Sequence, residues 1–380
     1  MNSRPVEARL TEYLHLRAAQ SGIPLSGTFE LTPCCNMDCK MCYVRLSKAQ
    51  QEATAPLLSA KSWVELGRQA KEAGMLYLLL TGGEPFLRPD FREIFQKLHW
   101  EGLVLSVNSN GTLIDFDTVS WLKDTPPARL NITLYGASDA TYEKLCGNPK
   151  GFTQVTKAIS LLREAGLTVR LNCSLTPYNA TDLDGIFAYA KQEGIPVQAT
   201  SYMFPPLRRD ESMVGQNLRF RPEEAAYYAA KIVSKYTSEE AFVQKLAEQG
   251  LPALPSDLDE GCEGELLHCR AGKCSFWLTW DGRMLPCGMF SANGGIRLQE
   301  QSFAEAWAQT KESVQALRLP AQCTGCAAKD RCRVCAAMVY TETGGFSSPP
   351  PYRCRMSRAY PQACAQLREE ILRKVEDHHG

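Results

Sequence analysis

Met75-Leu-Tyr-Leu-Leu-Leu-Thr-Gly-Gly-Glu-Pro85 is a near-continuous apolar run that stops at two glycines. Such a run suits a parallel strand buried on both faces, and the glycines mark its end. The same pattern repeats on either side of it. Strand-like stretches at 27–33, 75–81, 103–108, 129–135, 168–175 and 197–203 are rich in Leu, Val, Ile, Thr, Tyr and Phe. Helix-like stretches at 59–73, 90–100, 115–124, 151–166, 181–194 and 221–237 follow them, and Thr181 with Asp184 reads as the N-terminal cap of the fifth. Strand–helix alternation implies an α/β fold with a parallel sheet. Six units rather than eight give an open, partial (β/α)6 TIM-like barrel. Reactive groups of such sheets collect at the carboxyl ends of the strands.

The first strand runs into Leu31-Thr-Pro-Cys-Cys-Asn-Met-Asp-Cys-Lys-Met-Cys-Tyr43. Cys35, Cys39 and Cys42 form a C-x3-C-x2-C triplet at that reactive end. Iron–sulfur clusters normally take four cysteines, so three leave one iron open to an outside ligand. A structural zinc site would need a fourth ligand and more often pairs C-x2-C units.

Composition sets the frame. The chain has 380 residues, 44% of them hydrophobic, with Lys+Arg and Asp+Glu both at 42. That length predicts two domains and a sizeable core. Zero formal net charge gives no bulk attraction to nucleic acid or to an anionic membrane. No apolar run reaches the length of a membrane span, and the N-terminus lacks a secretory signal, so a cytoplasmic protein is expected. Sixteen cysteines in a reducing compartment then point to metal ligation rather than disulfides.

Beyond the barrel (27–237) the pattern changes. Residues 1–26 read as an N-terminal extension, 238–261 as a linker, 262–356 as a cysteine-dense domain and 357–380 as a C-terminal helix with its core at 361–377. Within the cysteine-dense part, Phe276–Trp280 reads as a strand, Asp281-Gly282 as a hairpin turn and Pro349–Pro351 as a loop.

The triplet resembles the signature of the radical S-adenosylmethionine (radical SAM) superfamily. Gly82-Gly83-Glu84-Pro85 is similar to that family's Gly-Gly-Glu-Pro motif. The resemblance implies that the methionine amino and carboxylate groups of S-adenosylmethionine chelate the open iron. It also implies reductive cleavage to methionine and a 5′-deoxyadenosyl radical, which abstracts a hydrogen atom. Gly82 and Gly83 suit close approach of backbone to a ligand, and Glu84 adds negative charge near an ammonium group. By the same resemblance, Thr133 at the fourth strand contacts the ribose. Asn108, Asn110 and Asn172 stand at other strand ends as cofactor contacts or as polar groups satisfying local loops. Tyr43 either contacts the adenine or fills the core.

Further on come Cys269-x4-Cys274-x12-Cys287, Cys323-x2-Cys326-x5-Cys332-x2-Cys335 and Cys354. This array, with Phe303 and Trp307, resembles the SPASM extension, which carries two auxiliary [4Fe–4S] clusters. The resemblance assigns Cys269, Cys274, Cys287 and Cys335 to the first cluster. It assigns Cys323, Cys326, Cys332 and Cys354 to the second. The family usually spaces its last two close cysteines by three residues, whereas Cys332-x2-Cys335 has two. Two structural zinc sites are the alternative. Of the five cysteines left over, Cys146, Cys173, Cys262 and Cys364 read as small core residues, and Cys34 lacks the triplet's spacing.

Radical SAM/SPASM enzymes commonly modify ribosomal peptides through thioether or carbon–carbon bonds. Oxidative modification of a peptide or protein is therefore the expected activity, with small-molecule modification or a non-enzymatic electron-transfer role as alternatives. Gly288 stands where sulfatase-maturing members carry an Asp, which counts against that reaction. Arg208 and Arg209 are candidates for a substrate carboxylate, or part of a solvated connector. About 26 residues precede the first strand, too few for a peptide-recognition domain, so either a separate protein supplies recognition or the substrate is something else. An electron donor such as a flavodoxin or ferredoxin completes the implied partners.

Overall fold

The computed structural model of the chain describes residues 10–205, 219–248, 250, 269–290 and 294–379. Six strands form the parallel part of one sheet: β1 (Ser26–Glu30), β2 (Tyr77–Thr81), β3 (Val104–Ser109), β4 (Arg129–Thr133), β5 (Val169–Ser174) and β6 (Val197–Thr200). Their order is β6-β5-β4-β3-β2-β1, so neighbours in sequence are neighbours in space. The edges at β6 and at the far side do not meet, which leaves the barrel open.

Side chains alternate across these strands. Leu78, Leu80, Leu105, Val107, Leu130, Ile132 and Leu171 face outward and are buried beneath the helices. Asn108, Thr133, Ser174 and Thr200 face inward and line a cavity at the carboxyl ends. One face thus supplies the core and the other the site.

The cysteine-rich part is built onto this sheet. β7 (Ser275–Leu278) pairs in parallel with β1, placing Trp277 beside Thr28. β8 (Arg283–Leu285) and β9 (Ile296–Arg297) then extend the sheet antiparallel, giving nine strands among the described residues. The β7–β8 hairpin turns at Gly282, whose φ of 80° is the left-handed region that glycine adopts without strain. The helix Phe303–Gln315 starts with a capping box at Ser302 and Glu305. It fastens this half to the N-terminal segment through Trp307, whose Nε1 donates to the Gly22 carbonyl at 2.8 Å, and to the barrel through the Phe303 amide on Gln69 Oε1 at 3.3 Å.

Several local expectations need correction. Thr181 does not cap the helix Leu183–Glu193. It lies in a 3-10 turn, Ala180–Asp182, and the Asp182 carboxylate instead accepts the Ala137 amide at 2.7 Å. A tertiary contact has taken the residue that local pattern would use as a cap. The closing helix spans Pro351–His379, beginning well before 361. Pro351 sits at its first position, where a missing N–H costs nothing. It continues through Pro361 because it packs along the helix Pro222–Tyr236, held by Tyr227 to Glu370 and Tyr352 to the Phe220 carbonyl. The N-terminal extension also contains a helix, Leu10–Ser21. No helix among the described residues is long and apolar enough to cross a membrane.

Candidate functional site

The cysteine loop leaves β1 and folds over the end of β2. Gly83 N–H donates to the Thr32 carbonyl at 2.6 Å, and Glu84 N–H to the Cys34 carbonyl at 2.9 Å. A Cβ on Gly83 would stand 2.3 Å from the Cys34 carbonyl oxygen, and one on Gly82 would stand 2.5 Å from that of Thr32. Both are backbone atoms that cannot move aside. The glycines therefore admit the cysteine loop itself, and Gly82 also needs its φ of 156°.

Glu84 lies fully buried behind the cavity wall. Its carboxylate accepts from Phe86 N–H at 3.1 Å, Ser109 Oγ at 2.9 Å and Asn110 N–H at 2.7 Å. Burial pushes its pKa up to about 7 against those three donors. Glu84 thus ties the β2 turn to the β3 turn. Asn110 carries the link onward: its Nδ2 faces Asn36 Oδ1 at 2.9 Å and Cys35 Sγ at 3.6 Å. Its Oδ1 is fixed by Thr112, which sets the amide's orientation.

A cavity of about 610 Å³ opens at this end. Cys35, Cys39 and Cys42 line it, with Tyr43, Gly82, Gly83, Asn108, Asn110 and Thr133. Asn172 faces the same side of β5 as Ser174, and its buried Oδ1 has no hydrogen-bond partner among the described residues. Pro85 is buried in the turn beside Glu84. Arg208 and Arg209 fall outside the described residues.

The cavity is also lined by Cys269, Cys287 and Cys335 from the C-terminal part. Cys274 is placed elsewhere. It is fully buried against Ala18 and Leu25, with Leu76 and Tyr77 beside them. Trp277 faces the cavity, so strand alternation turns Cys274 to the other side of β7. Cys323, Cys326, Cys332 and Cys354 form a third group: burial raises the Cys323 thiol, and Cys354, Cys332 and Cys326 beside it add to the rise. The short Cys332-x2-Cys335 spacing is bridged by Arg333 in a left-handed conformation, φ 45°.

Backbone amides point at the cavity thiols. Met37 and Arg45 donate to Cys35 and Cys42, each at 3.4 Å. Ala271, Met289 and Met338 donate to Cys269, Cys287 and Cys335 at 3.3–3.5 Å. Such bonds stabilise charged sulfur. Burial pushes the Cys35 thiol up to about 12, and Glu84, Cys39 and Cys42 reinforce this. A soft cationic centre is what would offset that cost, so this donor set fits an iron–sulfur cluster. Among the described residues no three His, Cys, Asp or Glu side chains are placed to hold a single metal ion.

Sequence reasoning missed the rest of the wall. Tyr135, Tyr202, Phe204, Trp277, Met289 and Met338 give it an aromatic and thioether surface. Strand alternation through Phe276-Trp277-Leu278 was a usable signal for Trp277; the methionines carried none.

A partial barrel with three cysteines at its mouth and a Gly-Gly-Glu-Pro turn beside them defines the radical SAM class. Residues 29–190 match the model of the Radical SAM superfamily, and the chain is an enzyme with radical SAM relatives. Over 346 residues it is 26% identical to an AdoMet-dependent heme synthase of Methanosarcina barkeri, covering 88% of this chain and 97% of the relative. It is 24% identical to a PqqA peptide cyclase of Gluconobacter oxydans, covering 88% of this chain and 94% of the relative. The fold is similar to native anSMEcpe with bound AdoMet, with a TM-score of 0.66 at 15% identity, covering 93% of this chain and all of that one. Streptococcus suis SuiB bound to precursor peptide SuiA gives 0.63 at 16% identity, covering 90% and 81%. The match implies a [4Fe–4S] cluster that binds S-adenosylmethionine.

Proposed function

We propose that the chain oxidises a peptide or protein substrate at a cavity shared by two sets of cysteines. The carrying observation is that Cys35, Cys39 and Cys42 line the same cavity as Cys269, Cys287 and Cys335. In this reading residues 27–237 form the radical SAM barrel, 262–356 a SPASM-type domain joined by the 238–261 linker, with 1–26 and 357–380 as flanking segments. S-adenosylmethionine and its cluster, when bound, supply a 5′-deoxyadenosyl radical. Cys35, Cys39 and Cys42 hold that cluster. Backbone at Gly82 and Gly83, with Asn108, Thr133 and Asn172, orients the cofactor, and Tyr43 covers its adenine. Cys269, Cys287 and Cys335 serve one auxiliary cluster, and Cys323, Cys326, Cys332 and Cys354 the other. The aromatic and methionine wall excludes water from the substrate, and Arg208 and Arg209 are assigned to a substrate carboxylate. A reducing cytoplasm, an electron-carrier protein and a separate peptide-recognition protein belong to the same reading.

A second reading, modification of a tetrapyrrole, is favoured by similarity to the heme synthase along 88% of the chain. One anaerobic experiment separates them. The reconstituted enzyme is given S-adenosylmethionine and dithionite with either peptides encoded beside its gene or an iron porphyrin. The peptide reading expects 5′-deoxyadenosine together with a peptide lighter by two hydrogens. Product from the porphyrin alone would replace it with the second reading.

A further inference from the structure

We propose that Arg353 selects a substrate carboxylate inside the cavity. The inference rests on the reading that this cavity holds the substrate, and it deepens that reading by naming the group recognised.

The cavity wall is made of thiols, hydroxyls, amides, aromatic rings and aliphatic or thioether side chains. Among the described residues that line it there is no Asp, Glu, Lys or His, and Arg353 is the one permanently charged side chain. A single cation in a mostly apolar wall gives a bound molecule one fixed point of orientation, and that point suits an anion.

Arg353 stands in the first turn of the helix Pro351–His379 and is 1% exposed. Its Nε donates to the Cys332 carbonyl at 2.9 Å, and its Nη2 donates to the same oxygen. Nη1 meets Met356 Sδ at 3.6 Å, and a thioether is a weak acceptor. Among the described residues no carboxylate pairs with this guanidinium. Glu342 is committed to other donors. It accepts from Tyr202 Oη at 2.7 Å, the Tyr352 amide at 2.8 Å and the backbone amide of Arg353 at 3.4 Å, and Arg219 stands 4.0 Å away. A buried cation without a counter-ion is costly, and an incoming carboxylate removes that cost.

The fork is also held in place. Tyr202 lines the same cavity, and the Arg353 guanidinium carbon lies 5.5 Å from the centre of its ring. The ring and the Cys332 carbonyl fix the plane of the guanidinium. Nη1 is left as the donor that a carboxylate oxygen can take over from sulfur. The other anion that could answer Arg353 is the Cys335 thiolate on the same wall, so iron content enters the test.

The test is equilibrium binding of two probes and their neutral twins to the anaerobically reconstituted enzyme. One probe is an iron porphyrin with free carboxylates, set against its methyl ester. The other is the peptide encoded beside the gene, set against a copy with Asn and Gln in place of Asp and Glu and an amidated C-terminus. The wild type is expected to bind an acid form about tenfold or more tighter than its twin. Arg353→Gln should remove that preference by weakening the acid form alone, with iron content unchanged. Arg353→Lys should fall between, because an ammonium keeps the charge without the fork. Preference for the acidic peptide supports both Arg353 and the peptide reading. Preference for the porphyrin acid alone supports Arg353 and removes the peptide. Equal affinity for acid and twin in the wild type would overturn the proposal, and that comparison needs no variant to fold. So would wild type that binds neither acid form, or an unchanged preference in Arg353→Gln. Loss of iron in Arg353→Gln would also overturn it, by making the guanidinium the counter-ion of the cysteine group.

Discussion

Three donors meet at the Glu84 carboxylate, and none is a charged side chain. Two are backbone amides that cannot turn to other partners. Glu84→Ala would strand them in a buried site, where each unsatisfied group costs about 1–3 kcal/mol. A loss of about 3 kcal/mol is expected for the apo-protein by urea unfolding, with poor iron loading of the cysteine loop. Glu84→Gln should lose less, because its carbonyl oxygen still accepts. An equal loss in both variants would show that the negative charge matters and not the bonds. The motif was legible in the sequence, yet its physical job was not. Gly82, Gly83 and Glu84 suggested contact with a ligand; Gly82 and Gly83 do line the cavity, and all three also organise the loops around Cys35. That role depends on carbonyls of Thr32 and Cys34, about fifty residues away in sequence, which no local pattern displays.

At the scale of elements, the strands of the barrel were readable because burial on the helix side imposes a strong apolar signal. The helix Leu10–Ser21 was not: it buries only His15 and Ala18 and leaves Leu10, Tyr13 and Leu16 exposed. The pairing of β7 with β1 was also hidden, since it joins segments about 250 residues apart. Gly27 shows how closely the two strands are fitted, because a Cβ there would stand 2.6 Å from both Met75 Sδ and Phe276 Cζ. The helix Phe303–Gln315 secures that junction from outside. Its Phe303 and Trp307 rings pack on Phe276 at 5.1 and 6.2 Å. Trp307→Ala removes a large buried side chain and should cost about 3–5 kcal/mol. Trp307→Phe keeps most of the packing and loses the bond to Gly22, so a cost nearer about 1 kcal/mol is expected. Chemical denaturation of both variants checks this. Equal effects would mean that the hydrogen bond, and not the ring, holds the two halves together.

For the molecule as a whole, the open sheet decides what the chemistry can reach. A closed barrel would wall its interior off from the C-terminal cysteines. Here β1 has a second neighbour in β7, and the cysteine-rich part forms the missing side of the cavity. Two thiol sets then face one space with methionine and aromatic side chains around them. In the proposed function, cleavage of the cofactor depends on the barrel's own set, whereas completing an oxidation depends on removing a further electron from the substrate. Cys287 is suited to separating these demands. It lines the cavity, belongs to the C-terminal part and accepts the Met289 amide at 3.3 Å. Cys287→Ala should lose iron from the auxiliary site while the barrel still binds and cleaves S-adenosylmethionine under dithionite. Formation of 5′-deoxyadenosine is therefore expected to persist, and oxidised product to disappear. Chromatography of the nucleoside and mass spectrometry of the substrate measure the two independently. Loss of both together would instead make the second set a structural support for the first. Normal product yield would leave the auxiliary cysteines without a part in the oxidation.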